Sequence, residues 1–302
     1  MTPKVAVSEL AEWTHERVHA ECAEAYRAYS RELDAHYTRY FAAHPEERGA
    51  HLRQAADIER ALPPGWDHLA DQVPARVRHR HHLSGRSSQM LALAVLGAAT
   101  RLDFSLAWLL DALAPLPASD SPLTPPRFEY ELPPDALNER PYVTAIDFFA
   151  ETSKLVLCVE AKRGEDGMGR CSCPPGAPTV AACSAKVLVR PAYWEVARDS
   201  FGMPPREEGR PCPVSLAYQA IRSVAAARHL ATGGRRGIFG LIYDAENPYF
   251  AGAGAWSGWP AVLGRVLGNG PVVFRAVSWQ DLIPLLPVDH DFRSWLRDKH
   301  RL

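Results

Sequence analysis

From about residue 8 to residue 42, Val18, Cys22, Ala25, Tyr29, Leu33, Tyr37 and Tyr40 recur at every third or fourth position among charged neighbours. That spacing gathers them on one face of a long amphipathic helix. Pro63-Pro64-Gly65 breaks the region. A second helix is predicted to begin near Ser87-Ser88 and to run from Gln89 to Thr100; it is apolar nearly all round and therefore belongs in a core. Residues 114–126 (APLPASDSPLTPP) form a proline-rich connection out of this helical part.

Beyond the connection the period changes from helical to alternating. Three short runs rich in β-branched and aromatic residues, from Arg127 to Leu132, Tyr142 to Ala150 and Lys154 to Lys162, read as strands. Only Glu151-Thr152-Ser153 separates the last two, which is short enough for an antiparallel hairpin. Residues 163–184 read as a loop. Helices are predicted from Pro191 to Phe201 and, as one unbroken element, from Pro213 to Leu230, each opened by a proline and the second ended by Gly233-Gly234. Strand pattern returns from Gly237 to Asp244 and from Pro271 to Val277, and helices close the chain from Trp279 to Leu286 and from Phe292 to His300. The expectation is a mixed α/β core with a helical N-terminal extension.

Composition narrows this little. At 302 residues, 47% hydrophobic and 23% charged, the chain has the make-up of an ordinary globular protein. No stretch is long and apolar enough to cross a bilayer, and the N-terminus lacks a signal-peptide pattern, so a cytoplasmic location is expected. A net charge of −1 argues against a polybasic nucleic-acid coat, while leaving room for a local basic surface. The chain holds only five lysines, which makes Lys162, at the end of an apolar strand, conspicuous.

Alternation along a strand points Glu160 and Lys162 the same way. Asp147 lies on the preceding strand, with twelve residues between it and Glu160. A hairpin therefore brings an aspartate, a glutamate and a lysine to one end of a sheet. Two carboxylates suit a hard divalent cation, and a lysine beside them can hold a water or neutralise charge on a phosphate. A buried ion pair is the structural alternative.

The run Ala145-Ile-Asp147 … Cys158-Val-Glu160-Ala-Lys162 resembles the PD-(D/E)xK nuclease superfamily, although Ile146 stands where the family name has proline. Gln219 in Leu216-Ala-Tyr-Gln-Ala-Ile-Arg222 matches the glutamine that often follows the third strand there, and His82 to Gly97 is similar to a Ser-Ser-Gln helix of some restriction-endonuclease-like families. The likeness spans roughly residues 82–285, dividing the chain into a helical region, 1–80, and a nuclease-like domain, 81–302. It implies a restriction-endonuclease-like sheet flanked by helices, and a Mg²⁺- or Mn²⁺-dependent nuclease acting on DNA, preferentially double-stranded and by restriction-type cleavage. It implies Asp147 and Glu160 as metal ligands, Lys162 and Gln219 as further catalytic residues, and no membrane. A homodimer is compatible with it, and a catalytically inactive DNA- or protein-binding module is the alternative. Either Glu129 or Glu131 can add a carboxylate, depending on strand register.

Arg222, Ser88, Gln89, Arg86 and Arg80 are the candidate nucleic-acid contacts, the last two within or beside the basic run that starts at Arg76. Cys171, Cys173, Cys183 and Cys212 could hold Zn or an Fe–S cluster, but their spacing fits neither pattern, so ordinary loop thiols are favoured.

Overall fold

Thr14 starts the first long helix by accepting the Arg17 amide on its hydroxyl at 3.2 Å. The helix, α1 (His15–Ala43), buries Val18, Cys22, Tyr29, Leu33, Tyr37 and Tyr40. Ala25 is exposed, and Tyr26 is half-buried in its stead. The larger side chain has something to reach, since its hydroxyl donates to the Gly164 carbonyl at 2.5 Å. The computed structural model describes residues 9–47, 62–73, 75–77, 86–113, 122–133, 135–137, 144–170, 191–204, 212–268 and 270–302. The expected division between residues 80 and 81 lies outside them, as do Arg80, Cys171, Cys173 and Cys183.

Ser87 caps α2 (Ser88–Leu102) through the Met90 amide, and every residue from Ser88 to Ala99 is buried. Helix α3 (Ala107–Leu113) follows. Strands β1 (Arg127–Glu131), β2 (Ala145–Glu151) and β3 (Leu155–Ala161) form an antiparallel meander. Helix α4 (Pro191–Asp199) comes next. The helix expected from Pro213 to Leu230 is in fact two, α5 (Pro213–Leu216) and α6 (Tyr218–Leu230), broken at Ala217, which takes φ −116° and ψ 31°. The break has a bonding cause. The Gln219 amide donates to the Met168 carbonyl at 3.0 Å instead of completing a continuous helix.

Strand β4 (Arg236–Tyr243) then pairs parallel with β3. After α7 (Pro248–Ala251) and α8 (Trp259–Leu267), β5 (Val273–Ser278) pairs parallel with β4. The sheet order is β1-β2-β3-β4-β5. The expected helix at Trp279 is one short turn, α9 (Trp279–Leu282), followed by a 3₁₀ turn through Ile283-Pro284-Leu285. Helix α10 (His290–His300) ends the chain, capped by Asp289.

Strand β3 is buried over its whole length, as a central strand with helices on both faces must be. On one face Val156, Cys158, Phe239 and Leu241 pack with α4, α6, α8 and the start of α1. On the other, Leu155, Leu157, Val159, Ala161 and Ile242 pack with α2, α3, α9 and α10. Helix α1 runs against α7 and α10. The result is a mixed α/β sandwich around a five-stranded sheet. No helix among the described residues is long and apolar enough to cross a membrane.

Two glycines flanking or within α8 separate backbone need from mere presence. Gly258 has φ +86°, and a Cβ there would run into the Phe250 carbonyl; Gly264 lies exposed in α8 with nothing within 4 Å of an added Cβ. Gly258→Ala should therefore lose about 1–3 kcal/mol of stability, whereas Gly264→Ala should gain about 0.5–1 kcal/mol. Urea unfolding of both variants checks the contrast, and equal effects in the same direction would contradict it.

Candidate active site

Where the antiparallel and parallel halves of the sheet meet, the chain leaves β3 through Glu160, Ala161 and Lys162. The Lys162 backbone is held on both sides: its amide donates to the Ile242 carbonyl at 2.8 Å, and its carbonyl accepts the Trp279 indole N–H at 3.0 Å. Its ammonium Nζ donates to Glu160 Oε1 at 2.7 Å, and both residues are buried, at 4% and 1% exposure. Ser223, on α6, donates to the other Glu160 oxygen at 3.4 Å.

The neighbouring strands are irregular at this point. In β2, Ile146 joins one core and Phe148 the other, although residues two apart on an unbroken strand share a face. In β1, Phe128 stacks edge-on against Phe148 while Tyr130 stacks on Phe149, so it too reverses. The register is the same on either side, Phe128 opposite Phe148 and Tyr130 opposite Ile146, which puts Glu129 opposite Asp147. Glu129 has φ +47°, a conformation unfavourable for a side-chain-bearing residue. The β2–β3 ladder also stops at Phe148–Val159, and a side chain bridges the gap beyond it. Asp147 Oδ2 accepts the Ala161 amide at 2.8 Å.

Register thus settles which glutamate of β1 faces the cluster. Glu129 is buried at 7% exposure and accepts the Gln89 amide group at 2.6 Å, while the same group donates to the Val77 carbonyl at 3.1 Å. Glu131 is directed to the surface, where it pairs with Arg76. Gln89 and Ser88 belong to the buried side of α2. The Ser88 hydroxyl donates to the Glu165 carboxylate, which also accepts the Arg163 amide at 2.5 Å. Arg86 bonds the Ser30 carbonyl at 2.6 Å and pairs with Asp34, both on α1.

Gln219 and Ser223 stand one turn apart on α6, and the Gln219 side chain packs over Gly169, where φ is +66° and an added Cβ would displace that side chain. Arg222 is half-buried, close enough to favour ionisation of both Glu160 and Glu129, and its buried Nε has no hydrogen-bond partner. Cys212 carries a free thiol just before α5. Asp147, Glu160 and Lys162, the residues the pattern singled out, lie together here. Beside them stand two that it did not single out: Ser223, whose i+4 spacing from Gln219 was the available signal, and Glu165, which had none.

The carboxylates differ in charge balance. Asp147 keeps part of its surface open, yet enclosure by protein, followed by the charges of Glu160 and Glu129, raises its carboxyl well above the usual range despite Lys162 and the Ala161 amide. Burial, opposed by Gln89 and reinforced by Glu160, pushes Glu129 up to about 7. Burial also opposes ionisation of Glu160, but Lys162, Arg222 and Ser223 outweigh it and leave its carboxyl below the ordinary value. For Lys162, burial is more than offset by Glu160, Glu165 and Asp147, so the ammonium is held charged. Among the described residues, no three carboxylates, imidazoles or thiols already surround one point as a closed metal cage would. Glu129, Asp147 and Glu160 are each turned to a donor of the protein itself.

The model of the family described as "Restriction Endonuclease associating with ARP" matches residues 11–300. No curated protein and no solved structure matches the chain significantly.

Because the folded protein holds on Glu129 a proton that the unfolded chain releases near pH 4.5, its contribution to stability is lost as pH rises through about 7; Asp147, whose carboxyl is also raised by enclosure, acts in the same direction. The Glu129→Gln variant should therefore gain thermal stability relative to wild type between pH 5 and pH 8. The difference between the two proteins isolates Glu129 from His300, whose lowered pKa acts in the opposite direction. A difference in melting temperature that is flat over this range would contradict the assignment.

Proposed function

The chain belongs to the restriction endonuclease family associating with ARP, and on that premise we propose that it is a divalent-metal-dependent nuclease of the PD-(D/E)xK type acting on DNA. The observation that carries the reading is the matched reversal at Glu129 and Asp147, which brings two carboxylates beside the buried Glu160–Lys162 pair. Burying acidic groups without enough cations costs free energy, and a backbone strained at Glu129 is better explained by a site than by packing. The donor set is all oxygen, as Mg²⁺ and Mn²⁺ prefer.

Asp147 and Glu160 are the residues that would hold the ion, while Glu129, held by Gln89, adds negative charge beside them. When bound, Mg²⁺ or Mn²⁺ supplies Lewis-acid chemistry for phosphodiester hydrolysis. Lys162, fixed through its backbone and kept charged by Glu160, positions the attacking water and offsets negative charge growing on the phosphate. Water forms the new P–O bond as the bond to one sugar oxygen breaks, and the water proton passes to that leaving oxygen or to solvent. Arg222 lies where a guanidinium can meet a phosphate oxygen. Ser88 and Gln89 act from behind, through Glu165 and Glu129, instead of touching DNA, and Arg86 secures α1. Association of this chain with ARP, as the family description has it, is part of the proposal.

Asp147→Asn, Glu160→Gln and Lys162→Ala should each slow cleavage of plasmid DNA in Mg²⁺ or Mn²⁺ by at least about 10²-fold. Circular dichroism would confirm that each variant folds. Cleavage by Lys162→Ala at the wild-type rate would remove the site assignment. A wild-type protein that binds DNA but cuts nothing in either metal would support the inactive module instead.

Chelation gives an independent check. EDTA should abolish cleavage by the wild-type protein, and added Mn²⁺ should restore it. Undiminished cutting in EDTA would exclude a metal-dependent mechanism.

A further inference from the structure

A cleft of about 590 Å³ opens along β1 beside the carboxylate cluster, between that strand, the C-terminal half of α2 and the 3₁₀ turns Asp67–Gln72 and Ala75–Val77. Glu129 forms part of its wall, so it adjoins the candidate site. Arg76, Arg101 and Arg127 also line it, and so do Phe104 and Thr100. Phe104 is 44% exposed, so its ring is accessible to a stacking partner in the cleft. Thr100 Oγ1 is buried without a hydrogen-bond partner, so the lining keeps unused polar capacity. Arg127 Cζ sits over Tyr130, 3.9 Å from the ring centroid, which holds its guanidinium at the rim. Arg76 and Arg127 reach Glu131 and Glu151, but these are exposed or rim-side contacts that a phosphate can replace.

Cations with an exposed aromatic ring are the elements with which proteins hold a single nucleic-acid strand, through phosphate contacts and base stacking. The size decides against a duplex. A cavity of this volume takes a group of small-molecule dimensions, whereas B-DNA presents a major groove about 12 Å wide on a much broader rod.

We propose that this cleft receives an unpaired stretch of DNA leading out of the nuclease centre, with Arg101, Arg76 and Arg127 on its phosphates and Phe104 stacked on a base. The proposal rests on the nuclease reading of the adjoining cluster, and it sharpens the substrate to DNA with a single-stranded segment next to the cut. Arg101 and Phe104 lie outside the carboxylate cluster and are exposed, so replacing them leaves the core intact.

The test is fluorescence anisotropy with a labelled single-stranded oligonucleotide and a blunt duplex of the same sequence, in EDTA so that nothing is cut. Arg101→Glu and Phe104→Ala should each weaken single-strand binding about tenfold and change duplex binding much less. Wild-type affinity for the strand in both variants, or no measurable strand binding by wild type, would overturn the cleft. Equal weakening for strand and duplex would also overturn it, since it marks a general backbone contact. The two readings fail separately. Lost cleavage in Asp147→Asn beside normal strand binding in the cleft variants sinks the cleft alone, while weakened strand binding in a protein that cuts nothing sinks the nuclease alone.

Discussion

Carboxylates brought together inside a protein repel one another and lose the water that would have stabilised them, so each must be given a donor. That constraint shapes the end of this sheet. Lys162 stands against Glu160, the Ala161 amide against Asp147, and Gln89 against Glu129. None of the three donors is a chance neighbour. Lys162 is set by its own strand, Ala161 by the opening of the β2–β3 ladder, and Gln89 by a buried first turn of α2. The cluster still carries more acid than cation, which is why two of its carboxyls retain protons so readily.

The remainder of the fold secures the strand end on which this depends. The loop after Lys162 is gripped from the start of the chain by Tyr26 and Tyr29, which donate to the Gly164 and Arg163 carbonyls. Asn247 donates to the Arg163 and Glu165 carbonyls from before α7. The Arg163 side chain runs inward to His300 at the end of α10. Helix α1 and the last turn of the chain therefore meet under one loop. The family match, from residue 11 to residue 300, takes in both ends of this arrangement.

Within the five strands, the one non-glycine residue with positive φ, Glu129, falls where chemistry is proposed. Elsewhere β3, β4 and β5 run in continuous register, while β1 and β2 reverse face together at a single pair of residues. A paired reversal keeps the outer hydrogen bonds in step, so the sheet bears the distortion without losing its edge strand. The same reversal leaves Glu129 as a wall shared by the carboxylate cluster and the cleft along β1.

Much of this architecture was legible in one dimension. The helical period marked every residue α1 buries and only one, Ala25, that it leaves exposed, the tight Glu151-Thr-Ser turn required a hairpin, and alternation alone placed Glu160 and Lys162 on one side. These are local consequences of backbone geometry. What lay beyond reach depended on contacts between distant segments. The choice of Glu129 over Glu131 needed a strand reversal that no period predicts. The break before Gln219 needed a bond to Met168, and the inward place of Ser88 and Gln89 needed partners on a loop and a strand. Local periodicity told which residues could meet; only the packed sheet, by where its ladder opens, decided which ones did.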